Sequence, residues 1–184
     1  QERDTHGTAF GEMTLRAMKG RHTLVAGLAV EHDRYRPTDL PQFAYTYTTP
    51  GVFIQDDVDV TAWLAVSASG RFDYHSEYGA FFSPRFSGLI RARGWATRLS
   101  FGTGFYGPSP LTEETEAAGL SRLVIPSALE AERGRSATVD VSRTDGPLSW
   151  TVTLFRSHVS DPIHVDRSSG LALTNLVEPV KTNG

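Results

Sequence analysis

The sequence predicts an all-β protein, an antiparallel up-and-down meander of the kind that forms the wall of a transmembrane barrel. Three observations predict it. Apolar and polar residues alternate with period two over stretches of about ten residues or more, while the helical period of 3.6 is nearly absent. The connections alternate between tight turns and long polar loops. Aromatic residues gather at the ends of the alternating stretches. Strands of globular proteins usually run about 5 to 6 residues, whereas a strand that crosses a bilayer needs about 9 to 11.

Taken in order, the first candidate strands cover residues 8–18, 23–34 and 51–61, with weaker alternation. From Trp63 to His75 the pattern is strict: Leu64, Val66, Ala68, Gly70, Phe72 and Tyr74 oppose Ala65, Ser67, Ser69, Arg71, Asp73 and His75. Phe82, Phe86 and Ile90 oppose Ser83, Arg85, Ser87 and Arg91 in the next stretch. Trp95, Thr97, Leu99, Phe101 and Phe105 then oppose Arg98, Ser100, Gly102 and Gly104. Residues 132–144 are a weaker strand, Leu148, Trp150, Val152 and Leu154 oppose Ser149, Thr151 and Thr153, and residues 171–177 close the series. The alternation aims Leu64, Val66, Leu99, Phe101, Val152 and Leu154 outward, and Ser67, Arg71, Ser100 and Thr153 inward.

Tight turns fall at residues 19–21, 61–62, 93–94 and 145–147; long or polar loops fall at 37–49, 76–80, 107–129 and 166–170. All tight turns therefore share one end. Trp63, Trp95 and Trp150 each follow a tight turn and so share one level, where indole is buried while its N–H stays wet. Phe72, Tyr74, Phe81, Phe82, Phe105 and Tyr106 form a second girdle at the other end. A soluble β-sandwich also starts and ends strands with aromatics, but it needs shorter strands and Greek-key crossings.

Composition narrows the function. The 184 residues carry a net charge of -3, so no basic face points to nucleic acid. Cysteine is absent, which removes disulfides, thiolate catalysis and thiolate zinc sites. Residues 1–6 are polar and charged and do not resemble a secretory signal. Asp73, His75, Ser76 and Glu77 suggest an acid, base and nucleophile, but neighbours on one strand face do not make the two bonds of a catalytic triad. They read as a polar strand face turning into a loop. Gly102-Thr-Gly104-Phe-Tyr-Gly107 matches G-x-G-x-x-G, yet Pro108-Ser-Pro110 follows where a phosphate-binding helix must open. The glycines instead relieve crowding inside a strand. His158, Asp161, His164 and Asp166 supply too few ligands on one face to close a metal site, and Asp56-Asp57-Val-Asp59 lacks the glycine and distal glutamate of a calcium loop. Glu113, Glu114 and Glu116 read as solvated acidic surface, with a short helical turn over residues 112–123. No catalytic, cofactor or metal residue is expected.

GVFIQDDVDVTAWLAVSASGRFDYHSEYGAFFSPRFSGLIR followed by WATRLSFGTGFYGPSP resembles the barrel of TonB-dependent outer-membrane receptors. The resemblance rests on Gln55-Asp56-Asp57, Gly70-Arg71-Phe72-Asp73, Ser83-Pro84-Arg85, and Gly102-Thr-Gly104-Phe105 with Pro108-Ser109, in this order and spacing. Tyr106 is a departure, because many relatives carry a basic residue there. The resemblance implies a closed barrel of 22 strands around an N-terminal plug. Residues 1–184 then form part of one barrel domain, an open arc of about nine strands without plug, energy-coupling segment or closing strands. Lys181-Thr-Asn-Gly184 reads as a turn. The implied function is energised uptake of a scarce ligand, such as an iron–siderophore, haem, cobalamin or a glycan, across the outer membrane of a Gram-negative bacterium. The implied partners are outer-membrane lipid, the TonB complex and a small molecule at the extracellular loops, with Tyr45, Tyr47, Tyr78 and Arg122 as candidate contacts. A passive porin or adhesin-type barrel shares the wall pattern. A barrel enzyme would rely on His158 with Asp161, or Asp73 with His75.

Overall fold

The computed structural model describes residues 3–112, 115, 120–125, 128–167 and 171–184. Its main feature is an antiparallel nine-stranded sheet in the order β1 (Asp4–Lys19), β2 (His22–Pro37), β3 (Tyr45–Asp59), β4 (Leu64–His75), β5 (Gly79–Ala92), β6 (Trp95–Tyr106), β8 (Glu132–Asp145), β9 (Leu148–Ser160) and β12 (Val180–Asn183). Neighbours in the sheet are neighbours in sequence, apart from the β6–β8 and β9–β12 connections. These carry β7 (Leu123–Val124), β10 (Ile163–Asp166) and β11 (Leu171–Asn175), which form a separate small sheet in the order β10-β11-β7. β1 and β12 are the two ends of the large sheet, which does not close on itself.

The turn chemistry fixes the register. Ala92 pairs with Trp95 across Arg93 and Gly94, both at positive φ (49° and 81°), as a two-residue hairpin of right-twisting strands requires. Gly94 also lies so close to Thr144 that a side chain there would meet its carbonyl oxygen at 2.7 Å. Asp145 pairs with Leu148 across Gly146 (φ 56°) and Pro147, and Lys19 pairs with His22 across Gly20 (φ 62°) and Arg21.

Once the register is set, period two sorts the faces. Outward positions pair with outward ones across the sheet: Phe72 with Phe82, Phe86 with Phe101, and Val139 with Leu154. Val52, Ile54, Val66, Phe72, Phe82, Phe86, Leu99, Phe101, Val152 and Leu154 all stand exposed on that side. The other face is polar. Gln55, Ser67, Ser69, Arg85, Ser87, Ser100 and Ser136, from strands β3 to β8, line one trough of about 590 Å³, so the sheet curves with its polar face inside. Arg71 and Phe72 lie on opposite faces: Arg71 sits over the inward ring of Phe53 (5.9 Å) and binds Asp73, while Phe72 is exposed.

The long strands bury little against one another. The hydrophobic core lies at the end away from the tight turns, where Tyr35, Phe43, Leu120, Leu123, Leu171 and Leu173 cluster, with Tyr45, Leu111, Ile163 and Val165 packed against them. The β2–β3 connection, the β6–β8 connection and the small sheet thus share one core and form a cap on the sheet.

Several expectations need correction. Residues 171–177 do not add a wall strand: β11 belongs to the cap, and the ninth wall strand is β12, formed by Val180 with residues expected as a turn and paired with β9 from Val180–Val159 to Asn183–Arg156. The loop at 76–80 is a three-residue turn, since His75 pairs with Gly79. The loop at 37–49 shrinks to residues 38–44, because β3 begins at Tyr45. Phe81 and Phe105 leave the outer girdle. One-to-one pairing of β5 with β6 stops at Arg85–Gly102, and Phe105 then stacks on inward-facing Phe81 (3.8 Å, 4°) rather than on Phe82. β6 stays paired residue for residue with β8 through Phe105–Arg133, and Arg133 turns to the same side, 5.5 Å over the Phe81 ring. Leu120–Arg122 forms a 3₁₀ turn; Glu113, Glu114, Glu116 and most of the expected helical turn lie outside the described residues.

Candidate ligand-contact site

Tyr45 and Tyr47 are two residues apart on β3, so they project from the same, inward face. Their rings stack at 4.5 Å and 19°. Register brings more rings alongside, because Tyr45 pairs with Tyr35 on β2 and Tyr35 with His6 on β1. The row continues from Tyr47 to His75 (4.9 Å) and Tyr78 (6.2 Å), the latter two 4.9 Å apart. Six rings from β1 to the β4–β5 turn thus form one aromatic ledge at the cap end of the concave face.

Polar bonds pin the ledge. Asp33 Oδ1 lies 2.8 Å from His6 Nε2 and accepts Thr8 Oγ1 at 3.1 Å, while its Oδ2 accepts the Tyr45 hydroxyl at 3.1 Å. Tyr35 donates to Asp4 at 3.1 Å, and Tyr78 to the Pro108 carbonyl at 2.7 Å. Gly107 permits that last contact, since a Cβ there would lie 2.9 Å from His75 Nε2 and 3.1 Å from the Tyr78 ring. Burial, with the neighbouring Tyr47 phenol, pushes the Tyr78 hydroxyl well above its ordinary pKa, so it stays protonated. Beside the ledge, Gln42, Phe43, Ala44, Tyr45, Tyr47, Pro110, Leu123, Val124 and Ile125 line a groove of about 480 Å³ with no charged side chain.

The structure therefore brings together Tyr45, Tyr47 and Tyr78 but does not add Arg122 to the ledge. Arg122 is exposed on the 3₁₀ turn, next to groove-lining Leu123. Sequence reasoning missed His6, Asp33 and Tyr35; the period-two spacing of Asp33 and Tyr35 was the available signal. It placed Tyr45 and Tyr47 in a loop, whereas they begin a strand.

The catalytic-looking cluster is occupied structurally. Asp73, 3% exposed, takes both oxygens to Arg71 Nε at 2.9 Å, with Nη2 at 2.8 Å. Gly51 leaves the room, because a Cβ there would reach Asp73 Oδ1 at 2.2 Å. His75 Nδ1 accepts the backbone N–H groups of Glu77 and Tyr78 (3.2 and 3.3 Å), and Ser76 Oγ accepts Thr48 N–H at 3.0 Å. Gly102 and Gly104 sit inside β6 rather than before a helix, and Gly102 lies under the Arg85 side chain. His158 lies on β9 and His164 and Asp166 on β10; no group of three or more His, Cys, Asp or Glu converges as a metal site among the described residues.

Comparison with known proteins agrees with this architecture. Several solved structures share it, among them three iron-uptake proteins. The siderophore receptor PirA from Pseudomonas aeruginosa is 16% identical, with a TM-score of 0.81 over 100% of this chain and 36% of that one. The FrpB iron transporter from Neisseria meningitidis is 14% identical, with a TM-score of 0.78 over 100% and 33%. A mutant of the ferric enterobactin receptor PfeA from Pseudomonas aeruginosa, in complex with enterobactin, is 13% identical, with a TM-score of 0.77 over 98% and 32%. This chain thus spans about a third of the length of these relatives, and at such identities the likeness shows the fold alone. No curated protein matches it by sequence. The family model for the TonB-dependent receptor-like β-barrel, however, matches residues 5–184. With its open nine-stranded arc and two unlike faces, the chain belongs to the TonB-dependent receptor-like β-barrel family.

Proposed function

We propose that this chain is a section of the wall and outer cap of a Gram-negative outer-membrane receptor that takes up a scarce small molecule. Iron–siderophore complexes head the candidates, with haem and cobalamin behind them. Uptake would be energised by the TonB complex through a region of the receptor outside these residues. The outward face contacts outer-membrane lipid, and no covalent chemistry is assigned to any residue. The names of the solved relatives, a siderophore receptor and a ferric enterobactin receptor among them, support this reading by analogy.

The single observation that carries it is the aromatic ledge. At the cap end of the polar face Tyr45 and Tyr47 stack and, with Tyr78, stay partly exposed, while buried Tyr35 and His75 hold them in place; rigid aromatic surface of this kind suits a bulky chelate. Tyr45, Tyr47 and Tyr78 are the proposed contacts, and Arg122 reaches the ligand only from the rim.

Tyr47, flanked by Tyr45, His75 and Tyr78, is the position to test. In the full-length receptor, Tyr47→Ala should weaken binding of its ferric complex about tenfold or more, as truncation of a central aromatic contact does. Unchanged affinity would remove the ledge from the site. Uptake that persists after the proton-motive force is collapsed would favour the passive-porin alternative.

A further inference from the structure

At the tight-turn end of the outward face, register places Trp95, Arg143 and Trp150 side by side on β6, β8 and β9. The two indoles meet edge to face at 5.5 Å, and the Arg143 guanidinium lies 5.0 Å above the Trp95 ring. Arg143 Nη2 donates to Asp145 Oδ2 at 2.9 Å, which leaves the other N–H groups of the fork for a further acceptor. The neighbouring β5–β6 turn packs on the same place, since Thr144 N donates to Gly94 O at 2.9 Å.

Directly above lies an apolar ramp. Two residues up, Thr97, Val141 and Val152 are in register; four residues up, Leu99, Val139 and Leu154 follow. A ligand seated on Arg143 therefore finds hydrocarbon-compatible surface on one side only. That is the outline of an amphiphile, with an anionic head on the guanidinium and an acyl chain along the ramp. A free phosphate would use the arginine but leave the ramp and indoles unused.

We propose that Trp95, Arg143 and Trp150 form a headgroup site for an anionic phospholipid. Stacking on indole leaves the edge of the guanidinium free for bidentate bonds to phosphate oxygens. The pair with Asp145 fixes the fork at the level where interfacial tryptophans settle. The proposal rests on the reading of the outward face as lipid-facing.

The test uses the full-length receptor in nanodiscs of phosphatidylcholine containing a minor share of phosphatidylglycerol, with retained lipids weighed by native mass spectrometry. Phosphatidylglycerol should be retained about fivefold over its bulk ratio, as expected for one basic side chain beside a headgroup layer. Arg143→Gln should bring the ratio to near parity, and the inward-facing control Arg98→Gln should leave it unchanged. Inorganic phosphate should not displace the lipid. No enrichment in the unaltered receptor overturns the proposal whatever the variants do, and so does displacement by inorganic phosphate. Brominated phosphatidylcholine separates the two levels of the argument. Unquenched tryptophan fluorescence would sink the lipid-facing reading itself, whereas quenching without enrichment would sink the headgroup site alone.

Discussion

Arginine in place of Leu154 should destabilise the folded receptor in lipid by about 2–4 kcal/mol, the cost of a cation on the lipid face near mid-depth, whereas arginine in place of Thr153 should cost about 1 kcal/mol or less. The two positions are adjacent on β9 yet lie on opposite faces of the sheet. Leu154 is 60% exposed on the apolar face and pairs with Val139. Thr153 donates to inward-facing Asp140 at 2.7 Å, so an arginine there meets a carboxylate and water. Leu154 stands four residues above Trp150, about 10 Å along the membrane normal for a rise of about 3.4 Å and a tilt of about 40°. Denaturant unfolding of both variants in the same vesicles checks the difference. Equal costs would mean that the faces are not sorted in this way.

Leu173→Ala should cost about 2–5 kcal/mol in the cap, the range for deleting a buried leucine where the surroundings collapse only in part. Leu173 is completely buried, on a short strand whose neighbours come from separate connections. Leu171 pairs in parallel with Leu123 of β7, so the cap is held by contacts distant in sequence. Tyr45 packs on the same cluster, which couples the ledge to the cap. Hydrogen exchange should show faster opening at β7, β10 and β11 and the start of β3, with β4–β6 unchanged. Uniform loss of protection across the large sheet would show that cap and wall are one cooperative unit.

The wall was legible because each of its central strands has one apolar and one polar face. β4 and β9 write that alternation directly, and the tight turns carry Gly20, Gly94 and Gly146 at positive φ. β1 was harder to read. Phe10 and Met18 pair with inward positions of β2 while Met13 and Leu15 face outward, so both faces carry large apolar side chains. The end of β5–β6 pairing at Arg85–Gly102 could not be read either: period two continues past it in the sequence, whereas Phe105 stacks on inward-facing Phe81. The cap had no local signature at all. β7 is two residues long, and its partner in the small sheet lies 48 positions away in the Leu123–Leu171 pairing. The ledge was half legible. Tyr45, Tyr47 and Tyr78 were singled out, but Tyr35 and His6 joined only when the β1–β2–β3 register was known, and Arg122 stayed on the rim.

The two faces of this sheet are expected to meet different solvents. Nitroxide labels placed singly at positions 150 to 156 of the full-length receptor in lipid test this most directly, by comparing collision with oxygen and with a water-soluble nickel chelate. A period of two is expected: high oxygen and low chelate access at 152 and 154, and the reverse at 153. Chelate access at 152 and 154 equal to that at 153 would contradict it, because both faces would then be in water.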